Sequence, residues 1–448
     1  MSTTLTSRVA RWPLAITLAA LAACADEPVG VKPKPKLTPH ASVDGYITVT
    51  NTSGGTEVGS LRWAAAQAVG WDIIRFDPSL AGATITLQAG IDVPGNLVIR
   101  APTDKGITIS GDDRFRVIRA GQGVALENVT IMKGNSIWEA GSAIWTDGFV
   151  NLSNSTVRDN RGYGAAIHGG NVIALNNSTV SGNTGTYPAS AVEYGWRGVL
   201  SIDNSTVAHN FPGPGIAPFG YQPDPFPPTV TLRNSIISNN GNPNKNCQFT
   251  NHVQPSGMNI SNDYSCGYSA NVFVGDPLLA GLADNGGPTE TERFAYNSVA
   301  LNSGLNCDFT VDQRYVARDA YCDVGAFEFT DFTVVTITID PNVAVNATTG
   351  SAVVTGTVTC SPRAGDQFGL RLDLTQQQKV GKTTTVVQGV GFAGINCATS
   401  AQSWSVPVAP ASGAFQNGDA QAAASTNDAP IWVKPASISK PVRLARKK

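Results

Sequence analysis

Charge is scarce in this chain: 14% of its 448 residues are Asp, Glu, Lys or Arg, against about 25% in an ordinary soluble domain. Basic and acidic side chains nearly cancel, 31 against 33. Without clustered Lys and Arg there is no footprint for nucleic acid, whose phosphates must be neutralised. Histidine is rare as well; the four are His40, His168, His209 and His252. No HExxH helix, nucleophile elbow or phosphate-cradling loop is present. No two cysteines show the C-x₂₋₄-C spacing of structural zinc, so neither a metal nor a cofactor is expected. In place of charge there are 46 Gly and 27 Pro, which favour turn-rich structure over long helices. A hydrophobic content of 42% is enough for a large core.

The first 23 residues read as an export signal: Arg8 and Arg11, a short apolar core from Leu14 to Ala20, then Leu21-Ala22-Ala23-Cys24. The apolar stretch is too short for a permanent transmembrane helix. The run ending at Cys24 resembles a bacterial lipobox, which implies lipidation of Cys24 and a membrane partner through that lipid. Residues 24–45 alternate Pro33, Pro35 and Pro39 with Lys32, Lys34 and Lys36, an extended tether. Six further cysteines allow fifteen connectivities. Proximity suggests Cys247–Cys266, Cys307–Cys322 and Cys360–Cys397, which suits an oxidising compartment.

From about residue 95 to 245 the chain repeats. The segments register on Asn128, Asn154, Asn177, Asn204 and Asn234, at spacings of 26, 23, 27 and 30 residues. Around each Asn, apolar positions alternate with period two. Val124, Val150, Ile173, Leu200 and Val230 lie four before it, and Leu126, Leu152, Leu175, Ile202 and Leu232 two before. Ile131, Val157, Val180, Val207 and Ile237 lie three after. Such alternation means short strands with one face inside. Repeats of this length imply an all-β fold, a right-handed parallel β-helix (a pectate-lyase-like solenoid) whose coils stack at about 4.8 Å. The Asn residues are expected to take the left-handed bend between strands and to bond to one another from coil to coil. Ser60-Leu61-Arg62-Trp63-Ala64-Ala65-Ala66 reads as a short amphipathic helix capping the first coil.

Several motifs resemble those of bacterial β-helix proteins bearing a choice-of-anchor Q region. They are Ser60-Leu61-Arg62 with Trp71-Asp72-Ile73-Ile74-Arg75-Phe76-Asp77-Pro78, then Asp276-Pro277-Leu278-Leu279. Leu282-Ala283-Asp284-Asn285-Gly286-Gly287-Pro288-Thr289, Asp312-Gln313-Arg314 and Cys322-Asp323-Val324-Gly325-Ala326-Phe327-Glu328 complete the set. Two departures stand out. Asn297-Ser298-Val299-Ala300-Leu301-Asn302 replaces the group's Ser-Pro-Ala-Ile-Asp segment, and Tyr315 follows Asp-Gln-Arg where the group has Gly. The resemblance implies an exported, envelope-attached β-helix over residues 46–330 and no defined reaction. Residues 331–436 have antiparallel grammar, with strands such as Thr333 to Ile339 and Trp404 to Val408, and read as a small immunoglobulin-like β-sandwich. Residues 437–448 read as a frayed basic tail.

One outward column carries mixed chemistry. Arg119, Trp145 and His168 hold the same place in successive coils, and Glu193 follows once a two-residue insertion is allowed. An aromatic with acid–base neighbours at about 4.8 Å steps can stack on a sugar. Tyr194, Trp196 and Arg197 are expected on an adjoining loop as added ligand-binding surface. No pair of carboxylates stands out as a glycosidase pair. The expectation is a bacterial cell-envelope lipoprotein, at the outer membrane or cell surface, that serves non-catalytic binding or adhesion to polysaccharide, cell-surface glycan or another surface. The alternative is a polysaccharide lyase or glycoside hydrolase on the same face, and a third is a purely structural spacer.

Overall fold

A computed structural model of the chain describes residues 45–447 except Trp196, 220–228, 242–244, 249–252, 268, 331–332, 362–364 and 431–432. Cys24, the export signal and nearly all of the tether therefore lie outside the described residues, as does Trp196. The fold is nearly all-β, a parallel solenoid of about 8 turns followed by a barrel- or sandwich-like sheet.

The coils build three long faces. Face one stacks nine strands from Tyr46–Val49 to Val253–Ser256, and face two nine from Thr84–Thr86 to Val272–Val274. Face three stacks six, from Ile91–Val93 to Ile216–Pro218. The fifteen aliphatic positions read from the repeat all point inward, and none is more than 2% exposed. Ser60 caps the helix Leu61–Gln67 by accepting from Trp63 N, and Leu61, Ala64 and Ala65 close the first coil.

Between faces one and two stand Asn128, Asn154, Asn177, Asn204 and Asn234, with φ of 60°, 50°, 44°, 45° and 45°. Their backbone role is the one expected, because Asn tolerates the left-handed region better than other L-residues. Their amides do not form the expected ladder. Asn154 Nδ2 donates to Asp312 O and Gln313 O, Asn177 Nδ2 to Val311 O, and Asn234 Nδ2 to Leu305 O. The ladder runs instead through Asn160, Asn183, Asn210, Asn240 and Asn246, whose Nδ2→Oδ1 bonds are 2.9, 2.9, 2.9 and 3.0 Å. The difference is one of direction: a side chain at the left-handed bend points out of the coil, whereas these later Asn residues point in, where buried amides must find partners.

What the outward-pointing bend residues meet is the segment from about 276 to 329, which lies along face two. Strands Thr179–Ser181, Thr206–Ala208 and Ile236–Ser238 are buried at every position, so both sides of this sheet are covered. Ile236 and Ile260 share a second core with Phe294, Ala300, Val324, Phe327 and Phe329. Polar seams complete the seal: Thr179 Oγ1 donates to Gln313 Oε1 at 2.7 Å, Ser181 Oγ to Glu292 Oε1 at 2.5 Å, and Ala326 N to Thr206 Oγ1 at 3.1 Å. Asp312-Gln313-Arg314 and Cys322 to Glu328 thus belong to a lateral clamp. Asp312 accepts from Arg314 and from Glu328 N, and Glu328 accepts from the buried Arg318 and from Asp323 N.

The C-terminal region is one nine-stranded sheet, which the extra pairing of Asn342–Asn346 with Ala352–Ser361 closes on itself. Cys360–Cys397 lies in its core with Trp404. The supposed basic tail is corrected here: Ser437–Lys447 is a strand paired with Gly418–Asn427 and Asn342–Asn346. Val442 and Leu444 are buried, and the intervening Arg443 is exposed, so the cations had masked a period-two pattern. The other two expected disulfides, Cys247–Cys266 and Cys307–Cys322, are also formed. Three disulfides suggest an exported protein. Among the described residues, no helix is long and apolar enough to cross a membrane.

Candidate functional site

Face three is a flank away from the clamp, whose contacts are with face two. Its strands are three residues long, with first and third residues inward and the middle one outward. The register sets Asp92 beside Arg119, Arg119 beside Trp145, Trp145 beside His168, His168 beside Glu193, and Glu193 beside Ala217. The strands therefore bring together the four column residues inferred from the repeat.

Within the column the side chains engage one another. The Arg119 guanidinium sits 4.6 Å from the Trp145 ring centre, and His168 stacks on Trp145 at 5.7 Å with the planes 10° apart. Arg119 and His168 come from strands on either side, so both faces of Trp145 are taken. It offers a ligand its edge, and the expectation that a sugar stacks on it needs correction. His168 Nδ1 lies 3.0 Å from Glu193 Oε1. A carboxylate at that distance accepts from Nδ1–H and so fixes the orientation of the ring. The Glu193 side chain is 0% exposed, and its Oε2 has no hydrogen-bond partner among the described residues.

The column floors a cleft of about 400 Å³ lined also by Trp138, Glu139, Asp147, Tyr163, Tyr187 and Phe219. Trp138, Tyr163 and Tyr187 are 84%, 52% and 58% exposed. They project from the turns leading into face three in three successive coils, and backbone bonds tie these turns together. Tyr163 N donates to Ser136 O at 2.9 Å, and Tyr187 N to Tyr163 O at 3.1 Å. Arg116 pins the turn carrying Trp138 by donating to Gly141 O, Ala140 O and Glu139. That bond from Arg116 holds the Glu139 carboxyl below its ordinary pKa. Phe219 meets His168 edge-on at 5.5 Å.

Two further expectations change. Tyr194 is no part of a surface loop. It ends the strand Val192–Tyr194, two residues after inward-facing Val192, and so shares its side. It is buried in the solenoid core, where desolvation drives its hydroxyl pKa far above the usual range. Arg197 is exposed and lies outside the cleft lining. The rim aromatics were missed because they fall in turns outside the strand register. Their recurrence about once per coil was the available signal. Among the described residues, no group of three His, Cys, Asp or Glu side chains is placed to hold a metal ion.

No family model matches the chain. No curated protein matches it either. Among solved structures it is similar to the tailspike protein of Acinetobacter phage vB_ApiP_P1, at 11% identity over 83% of this chain and 81% of that one, with a TM-score of 0.22. The fold assignment stands on the strand register of this chain.

Proposed function

We propose that the protein is an exported envelope lipoprotein whose solenoid presents the face-three cleft to glycans. The observation that carries this reading is the aromatic rim of Trp138, Tyr163, Tyr187 and Phe219 over a polar floor of Arg119, His168 and Glu193. Exposed rings supply flat apolar platforms, and the floor supplies directional hydrogen bonding, the combination that suits sugars with C–H faces and hydroxyl edges. The lipobox at Cys24 and the Pro/Lys tether support attachment to a membrane, with the choice-of-anchor Q motifs serving as the clamp.

A glycan array probed with purified protein tests the reading. Binding that Trp138→Ala and Tyr187→Ala both abolish supports it, and silence toward every glycan removes it. Metabolic labelling with a fatty acid, lost in Cys24→Ala, tests the anchor. A second reading, cleavage of the bound glycan by a hydrolase or lyase, draws on the buried His168–Glu193 pair, which has the form of a carboxylate-oriented general base. New reducing or unsaturated ends, lost in His168→Ala, would replace binding by turnover.

A further inference from the structure

Charge inside the cleft is lopsided. Among the described residues, Arg119 is the one cationic side chain in the lining, against the carboxylates of Glu139, Asp147 and Glu193. Arg119 is already engaged with the Trp145 ring, and Arg116, behind the rim, is engaged with Glu139. Glu193 adds a more specific demand. Its side chain is fully buried, His168 serves one oxygen, and among the described residues Oε2 has no donor. A buried acceptor of this kind calls for an O–H or N–H group. A ligand carboxylate or sulfate has only lone pairs to offer and would add like charge where water is thin. Stacking on Trp138, Tyr163 and Tyr187 does not depend on ligand charge, so the floor decides between ligands.

We infer that the occupant is an uncharged, hydroxyl-rich glycan strand lying along the solenoid axis, with a sugar hydroxyl donated to Glu193 Oε2 and sugar faces on the rim aromatics. Polyanionic glycans are turned away. This rests on the glycan-binding reading and narrows it to one substrate class. It also narrows the chemistry open to the His168–Glu193 pair. Lyase elimination needs a uronic carboxyl group or its ester to acidify the neighbouring C–H, so on a glycan with neither any cleavage here is hydrolysis.

The test is calorimetric titration of the full chain with matched polysaccharides that differ only in charge. Suitable pairs are polygalacturonate and its carboxyl-reduced form, alginate and its carboxyl-reduced form, and dextran sulfate and dextran. In each pair that is recognised, the neutral member should bind about tenfold tighter or more. Glu193→Gln should close much of that gap by admitting the charged member. Asp147→Asn, at an exposed position, should act in the same direction if the buried change disturbs folding. Equal or tighter binding of the charged member, still weakened by Trp138→Ala, would overturn the charge inference and leave glycan binding standing. Silence toward both members of every pair would remove the glycan reading and this inference with it.

Discussion

His168 and Glu193 sit side by side on adjacent coils with Nδ1 and Oε1 3.0 Å apart, the carboxylate buried and the imidazole bordering the cleft. The pair ties site chemistry to solenoid stability, because neither partner tolerates loss of the other. His168→Ala leaves a buried carboxylate without its donor and should destabilise the solenoid by about 3 kcal/mol. Glu193→Gln keeps a hydrogen-bonding amide beside the ring and should cost less than half of that. Urea denaturation of both variants checks the order. An equal effect would mean that the pair is solvated in solution.

Which asparagines hold the coils together is open to a direct contrast. Asn210 donates to Val180 O, Ala208 O and Asn240 Oδ1, and accepts from Asn183 N and Nδ2. Asn210→Ala strands several buried groups and should cost about 3 kcal/mol or more, at 1–3 kcal/mol for each orphan. Asn204 holds φ at 45°, and its Nδ2 is buried with no partner among the described residues. Asn204→Gly therefore loses little and suits the bend, so it should stay within about 1 kcal/mol of the parent. Thermal unfolding of the two variants separates ladder from bend.

This contrast also shows what was legible beforehand. Period-two aliphatics specify which side of each strand faces in, so the core, the stacking and the Arg119–Glu193 column followed from the repeat. The Asn motif marked the bends for the same reason. Register says nothing about what lies against an outward face. Hence Gln313 and Glu292 sealing face two, and Trp138 and Tyr187 rising beside face three, belong to tertiary packing that no local period encodes. Tyr194 differs from expectation because its strand runs one residue past Glu193, which puts the ring inside instead of on the adjoining loop. The C-terminal strand was missed because Lys440, Arg443 and Arg446 obscured the alternation of Val442 and Leu444.

The departure at Tyr315 can be tested as backbone geometry. Tyr315 has φ of 66°, the left-handed region that favours glycine, and its hydroxyl donates to Asn128 Oδ1 at 2.9 Å. The chain keeps the conformation a glycine would take and offsets its strain with a bond from clamp to solenoid. Tyr315→Ala keeps the strain and loses the bond, whereas Tyr315→Gly loses both. The Gly variant should therefore be more stable than the Ala variant by about 1 kcal/mol. Denaturation midpoints for the three proteins decide it, and an Ala variant equal to Gly would show that the strain is relieved in solution.

The clamp should also report pH, and the sign follows from Asp323 and Glu328 on it and from His209 of the solenoid, which faces it. His209 Nδ1 lies 3.0 Å from Glu292 Oε1, and that bond, reinforced by the charges of Glu292 and Asp276, raises the His209 pKa against the effect of burial. Asp323 is pushed up to about 7 by burial and by Glu328, against bonds from Asn302 N and Phe329 N and the charge of Arg318. Burial raises Glu328 too. In each case the folded form holds its proton more tightly than the unfolded chain. Such a contribution is complete below the unfolded pKa and is lost as pH rises through the folded one. For Asp323 the loss runs from about 4 to about 7. For His209 it starts near its ordinary value of about 6.5 and continues above it. The clamp should therefore resist urea and proteolysis better at pH 5 than at pH 8. Asp323→Asn should flatten the acidic part of that slope and His209→Gln the neutral part. A clamp that grows more stable from pH 5 to pH 8 would show that neither proton is held as the geometry requires.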